Sequence, residues 1–184
     1  MPIEMGGKPE SDFTDPIGAL GASHSRIVRF LRVLTQLAIP QRGGPLSPEE
    51  RALLSTSLRY FREAAPMHTA DEEESLFPRL CRLDRDDVDP ILARIDSLEQ
   101  DHECADRSHA EIDRLGRLLL ANGQLSPQDA SCFRELVGQL DMLYRHHIGI
   151  EDTEVFPFAA RVLTAADLQA MGDEMSARRP LHAL

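Results

Sequence analysis

His68-Thr-Ala-Asp-Glu72-Glu-Glu-Ser-Leu76-Phe77-Pro78 is answered by a second stretch, His147-Ile-Gly-Ile-Glu151-Asp-Thr-Glu-Val155-Phe156-Pro157. Each places a carboxylate four residues after the histidine and closes on an apolar residue, Phe and Pro at the same offset. A lone histidine precedes each stretch at nearly equal range: His24 lies 44 residues before His68, and His102 lies 45 residues before His147. The chain therefore contains two related halves, each supplying one lone His and one His-x-x-x-Glu.

Around these motifs the apolar residues recur at helical spacing. Ile17, Leu20, His24, Ile27, Val28, Leu31 and Leu34 form one stripe, so a first helix is expected over about 15–38. Pro40 and the Gly43-Gly44-Pro45 turn end it. Ser47-Pro48-Glu49-Glu50 supplies an N-cap serine, a proline at the first helical position and acids in the first turn. A second helix follows to about Leu83, with a kink or break at Pro66. Asp89-Pro90 opens a third, whose stripe runs Ile91, Ile95, Leu98, His102, Ala105, His109 and Ile112 and which ends at Asn122-Gly123. Ser126-Pro127 opens a fourth to about Leu163, and Thr164 caps a short tail helix ending near Arg178. No alternating strand pattern occurs. The expectation is an all-α, up-down-up-down four-helix bundle over residues 15–163, with a flexible N-terminal arm at 1–14 and a tail helix within 164–184.

Composition narrows the function. The 184 residues carry a net charge of −11, and Lys8 is the only lysine, so clustered cations for nucleic acid are missing. No run approaches a membrane span, and residues 1–15 contain no signal-peptide core. Cys81, Cys104 and Cys132 are odd in number and widely spaced, which suits reduced thiols in a cytoplasmic protein better than disulfides or a thiolate zinc site.

The repeat has a chemical reason. Residues i and i+4 share one helix face, about 6 Å apart at Cβ, so a His and a Glu at that spacing reach one metal centre. Two helix pairs packed face to face bring His24, His68, Glu72, His102, His147 and Glu151 to one level. Imidazole suits iron, zinc or copper, carboxylate suits harder cations, and this mixture fits iron best. A glutamate spans two ions, one on each oxygen, at a separation of about 3.5–4 Å. Each piece has a bland reading alone: a core histidine, a surface His–Glu pair, a Phe-Pro kink. All six in a duplicated register are harder to explain that way. The rival ferritin-like site needs two Glu-x-x-His motifs. Only Glu99-Gln-Asp-His102 qualifies, because Ala65 and Tyr144 stand three before the other histidines. A tetrahedral zinc site would be overfilled by six ligands.

These residues resemble the hemerythrin-like (HHE cation-binding) domain family. The likeness runs over about 15–178 and rests on His24, on His68 and Glu72 with Leu76-Phe77-Pro78, on His102, and on His147 and Glu151 with Val155-Phe156-Pro157. It implies two Fe ions bridged by the carboxylates and an oxo or hydroxo group. It also implies reversible binding or sensing of O2 or a related small diatomic, or redox and nitric-oxide chemistry. The oxygen carriers of that family have a fifth histidine, four residues after the third-helix ligand, where this chain has Asp106. His109 is a distant candidate, and Asp152, five after His147, matches the carriers' fourth-helix aspartate. Glu151 is the preferred ligand because it mirrors Glu72. His146 points about 100° away from His147, Tyr144 reads as a core aromatic with a satisfied hydroxyl, and His182 reads as solvated. Of the acids at 71–74, Glu72 faces inward, while Asp71 and Glu74 are expected on a solvated face. Three functions stand open: an oxygen-binding redox or sensing module, acting through a protein partner in trans; a di-iron oxidase- or peroxidase-like enzyme; and a metal-stabilised protein-interaction bundle.

Overall fold

Capping side chains and prolines set the helix starts in the computed structural model, which describes residues 13–38 and 45–179. Most of the expected N-terminal arm, Gly43-Gly44 of the first turn and His182 lie outside the described residues. Helix α1 spans Pro16–Ala38. α2 spans Pro48–Glu63, where the Ser47 hydroxyl accepts from the Glu50 N–H at 3.2 Å and the Ser47 N–H donates to the Glu50 carboxylate at 2.7 Å. α3, Ala65–Ala70, and α4, Phe77–Cys81, flank a π-helical segment at Asp71–Leu76. α5 is the long helix Asp89–Asn122, stopped by Gly123, whose φ of 75° takes the left-handed cap conformation. α6, Pro127–Ile150, continues through a second π-helical segment, Glu151–Val155, into α7, Phe156–Val162. Thr164 caps the tail helix α8, Ala165–Arg178. No strand occurs among the described residues.

These elements make the expected up-down-up-down bundle. α1 packs on α2 and α6, α5 packs on the same two from the opposite corner, and α8 lies against α1 and the first π-helical segment. α2 and α5 approach closely at Gly116, where a Cβ would stand 2.6 Å from Leu58 Cδ1. The core divides into two apolar masses. One gathers Leu20, Leu76, Phe77, Leu98, Val155 and Met171; the other gathers Ile27, Leu58, Ala65, Ala105, Ile112 and Tyr144. On every long helical arm the chain crosses from one mass to the other at a histidine: Leu20–His24–Ile27, Ala65–His68–Leu76, Leu98–His102–Ala105 and Tyr144–His147–Ile150. A polar layer therefore cuts the hydrophobic core in two.

The second helical arm departs from a simple kink. It breaks at Ala64, before Pro66, and ends at Cys81 rather than Leu83. Both Phe-Pro tripeptides open a π turn instead. The Phe77 N–H bonds to the Glu72 carbonyl and the Phe156 N–H to the Glu151 carbonyl, each five residues back. Pro78 and Pro157 have no N–H, and their rings crowd the preceding turn, which widens it.

Asp71 corrects an expectation. It is not on a solvated face but 1% exposed, held by Arg178 at 3.1 Å and Arg179 at 2.6 Å from the end of α8. Arg178 also reaches Glu74, which is exposed as expected, and Arg179 lies over the Phe13 ring at 5.0 Å. Sequence spacing could not show this, because the partners lie over a hundred residues away on a helix that covers this face of the bundle. Asp71→Ala should lower the unfolding free energy by about 3 kcal/mol. In an Arg178→Met/Arg179→Met background the same change should cost far less, measured by urea unfolding; additive costs would mean that the contacts carry no coupling.

Candidate metal centre

Glu72 and Glu151 are both 0% exposed, at the mouths of the two π turns, and their carboxylates face four imidazoles across the bundle axis. Glu72 Oε1 lies 3.2 Å from His68 Nε2 and 3.8 Å from His24 Nε2. Its other oxygen, Oε2, lies 3.4 Å from His102 Nε2. Glu151 Oε2 stands 3.1 Å from His24 Nε2 and 3.2 Å from His147 Nε2. The donor atoms form two groups, His24–His68–Glu72–Glu151 and Glu72–His102–His147–Glu151, each with all its atoms within 4.8 Å of one another. Both carboxylates belong to both groups. All six residues singled out from the sequence thus converge on one layer.

Two phenylalanines of the first apolar mass close one side of the layer. Phe156 stacks on His24 with ring centroids 5.2 Å apart, and Phe77 lies parallel to His102 at 6.4 Å. Each Phe-Pro motif covers the lone histidine of the other half. Behind the imidazoles stand three acids that spacing did not single out for this role. Asp152 meets His24 Nδ1 at 2.8 Å, Glu73 meets His102 Nδ1 at 2.8 Å, and Asp101 meets His147 Nδ1 at 3.4 Å. A carboxylate on Nδ1 favours a proton there, which would leave the Nε2 lone pair free for a cation in the layer. The available signal was adjacency, since Asp152 and Glu73 follow the ligand-type glutamates and Asp101 precedes His102.

The donor set fits a cation. Among the described residues, His24 Nε2 and all four oxygens of Glu72 and Glu151 are buried without a hydrogen bond, although they face one another at short range. His102 Nε2 and His147 Nε2 also face each other, at 3.1 Å. Buried acceptors left this way are costly unless a positive charge lies among them. The electrostatics of the layer point the same way. Burial opposes a charge on His24 and His102, yet the facing carboxylates outweigh it and raise their pKa values to about 10 and about 9. Burial acts against ionisation of Glu72 too, but His68, His102 and His24 hold its pKa well below the ordinary range. His68 goes down, because burial wins there.

The family model of the hemerythrin HHE cation-binding domain matches residues 15–159. The chain belongs to that family. An uncharacterized protein of Haemophilus influenzae is 30% identical over 167 residues, which is 91% of each of the two chains.

Among the described residues the two donor groups hold four imidazoles, one fewer than in the family's oxygen carriers. Asp106, at the position of the carriers' extra histidine, is exposed and outside both donor groups. His109 also stands apart. Its Nε2 meets the Tyr144 hydroxyl at 3.0 Å, and its ring stacks on Phe61 at 4.6 Å. Tyr144 is buried, with its ring 6.3 Å from that of His147, so its hydroxyl is satisfied as expected of a core aromatic. His146 is exposed. The three cysteines are free thiols, and among the described residues no helix is long and apolar enough to cross a membrane.

Burial pushes the His109 pKa from 6.5 down to about 4. The folded chain therefore keeps it neutral, while the unfolded chain takes up a proton on acidification through 6.5. Stability from this group is intact above that value and falls towards pH 4, by roughly 2–3 kcal/mol. Comparing urea unfolding of wild type and His109→Gln at neutral pH and again near pH 4.5 should show the wild type losing that much more than the variant. Equal losses would contradict it.

Proposed function

We propose that this chain holds two iron ions in the His/Glu layer and uses them to bind O2 or a related diatomic, as a redox or sensing module. The observation that carries this reading is the sealed polar layer itself: six metal-type donors in two groups that share both carboxylates, with their buried acceptors lacking hydrogen bonds. His24 and His68 would hold one ion, His102 and His147 the other, with Glu72 and Glu151 spanning both. Four imidazoles with two carboxylates favour iron over a structural zinc. In this reading residues 15–163 are the metal-holding unit and 164–184 its tail, and the free thiols suit a reducing cytoplasm.

When bound, two ferrous ions with an oxo or hydroxo bridge would supply the electrons for oxygen chemistry. The chain's own residues do the rest. Asp152, Glu73 and Asp101 would then hold three imidazoles in the Nδ1-protonated tautomer. Phe77, Phe156 and the two apolar masses exclude water from the layer. Tyr144 and His109 form a hydrogen-bonded pair beside His147 on the other side.

Protein made with iron supplied and purified anaerobically should contain about two iron atoms per chain by elemental analysis. His147→Ala should lose iron, and His146→Ala should keep it. One equivalent of zinc and no iron would refute the reading.

The count of four imidazoles among the described residues bears on carrier against catalyst. With Asp106 and His109 outside the donor groups, each ion would have two imidazoles and shared carboxylate oxygens, which leaves both ions short of a full ligand set. Rapid oxidation by O2 is expected rather than stable, reversible oxygenation. Stopped-flow mixing of the ferrous protein with O2 checks this. A coloured oxygenated species that lasts many minutes and reverts under argon would make the protein a carrier.

A further inference from the structure

The two halves of the bundle repeat each other in their ligands but not in what stands behind them. His24 and His102, the lone histidines, are matched: each is backed at 2.8 Å by the acid that follows the opposite half's glutamate, Asp152 after Glu151 and Glu73 after Glu72. The paired histidines are not matched. His147 Nδ1 faces Asp101, the residue just before His102, at 3.4 Å. The position just before His24 is Ser23, whose hydroxyl donates to the Ala19 carbonyl at 3.1 Å and accepts from Arg26 at 2.8 Å. His68 Nδ1 is buried and has no hydrogen-bond partner among the described residues. The backbone beneath His68 differs as well. It sits in the first turn after the break at Ala64, on an arm that stays helical to Cys81, and its N–H reaches the Ala64 carbonyl only at 3.4 Å. His24, His102 and His147 stand on helices of 23, 34 and 24 residues.

Resting on the di-iron reading above, we propose that the two metal positions are unequal: the ion between His102 and His147 is retained, and the ion between His24 and His68 is exchangeable. Glu73 and Asp101 are positioning residues for the retained ion, and Ser23 is the place where the symmetry breaks. A carboxylate on the far nitrogen fixes an imidazole's tautomer and orientation and makes it a stronger donor; losing one costs about 10–100-fold in metal affinity. The His102/His147 position has two such partners, and the His24/His68 position has one. On a less anchored backbone, His68 is the ligand that lets go first.

The test uses the full chain, loaded anaerobically with ferrous iron and mixed with excess bipyridyl-type chelator, following the coloured complex. Two phases of equal amplitude are expected, separated by about tenfold or more in rate. Glu73→Gln and Asp101→Asn should each speed the slow phase by about 10–100-fold and leave the fast phase alone. Asp152→Asn should speed only the fast phase, and Ser23→Asp should slow it. His68→Ala should abolish the fast phase and retain one slow equivalent. Circular dichroism on each variant separates these effects from unfolding. A single phase in the wild type, equal acceleration of both phases by Glu73→Gln or Asp101→Asn, or a fast phase that survives His68→Ala overturns the inference while leaving the di-iron reading standing. A wild type that takes up no iron removes the parent reading, and the inference falls with it.

Discussion

Two fully buried carboxylates in the middle of a hydrophobic bundle set the terms for the rest of the molecule. Glu72 and Glu151 have no access to water, and no hydrogen-bond donor among the described residues satisfies their oxygens. Stripping the solvation from two such groups costs several kcal/mol each. Four imidazoles reduce that cost, and the facing carboxylates in turn raise the pKa values of His24 and His102 against the effect of burial. Charge balance in this layer is therefore a condition for packing the apolar masses on either side of it.

The prolines gain a meaning beyond ending a helix. At both Phe-Pro motifs the missing N–H and the bulk of the ring open a π turn that begins at or beside the bridging-type glutamate. A widened turn shifts the residues after it relative to those before it. The His and Glu of each motif therefore face the layer, while the Phe swings to cover the lone histidine of the opposite half. One local backbone device, used twice, places a candidate ligand and the ring that covers the layer together.

Much of the candidate site was readable in advance. His68 and Glu72 lie on one arm, so their convergence needs only helical spacing, and His147 and Glu151 repeat it. The break near Pro66, the serine and threonine caps and the stop at Gly123 are equally local. The residues that escaped the reading share one property. Asp71 meets α8, Glu73 meets α5, and Asp101 meets α6, each across a packing interface. An acid run such as 71–74 reads as a solvated face until the rotation of its arm against two others is known. Asp152 appeared as a rival ligand, and the structure puts it behind His24 instead, because its carboxylate lies on the outer side of that ring.

The sequence by itself determined the four helical arms and tail, the caps, and the candidate donor types with the levels at which they stand, because hydrophobic period and i, i+4 spacing act within one helix. Only the tertiary structure decided which acids back which imidazoles, that His109 is taken by Tyr144, and that Asp71 is sealed under the tail. Those choices depend on how four helices are rotated about their own axes, and a rotation of a few tens of degrees moves a neighbouring acid from solvent to the back of a histidine ring. The duplicated motif makes the halves look equal; packing, through Ser23 on one side and Asp101 on the other, makes them different.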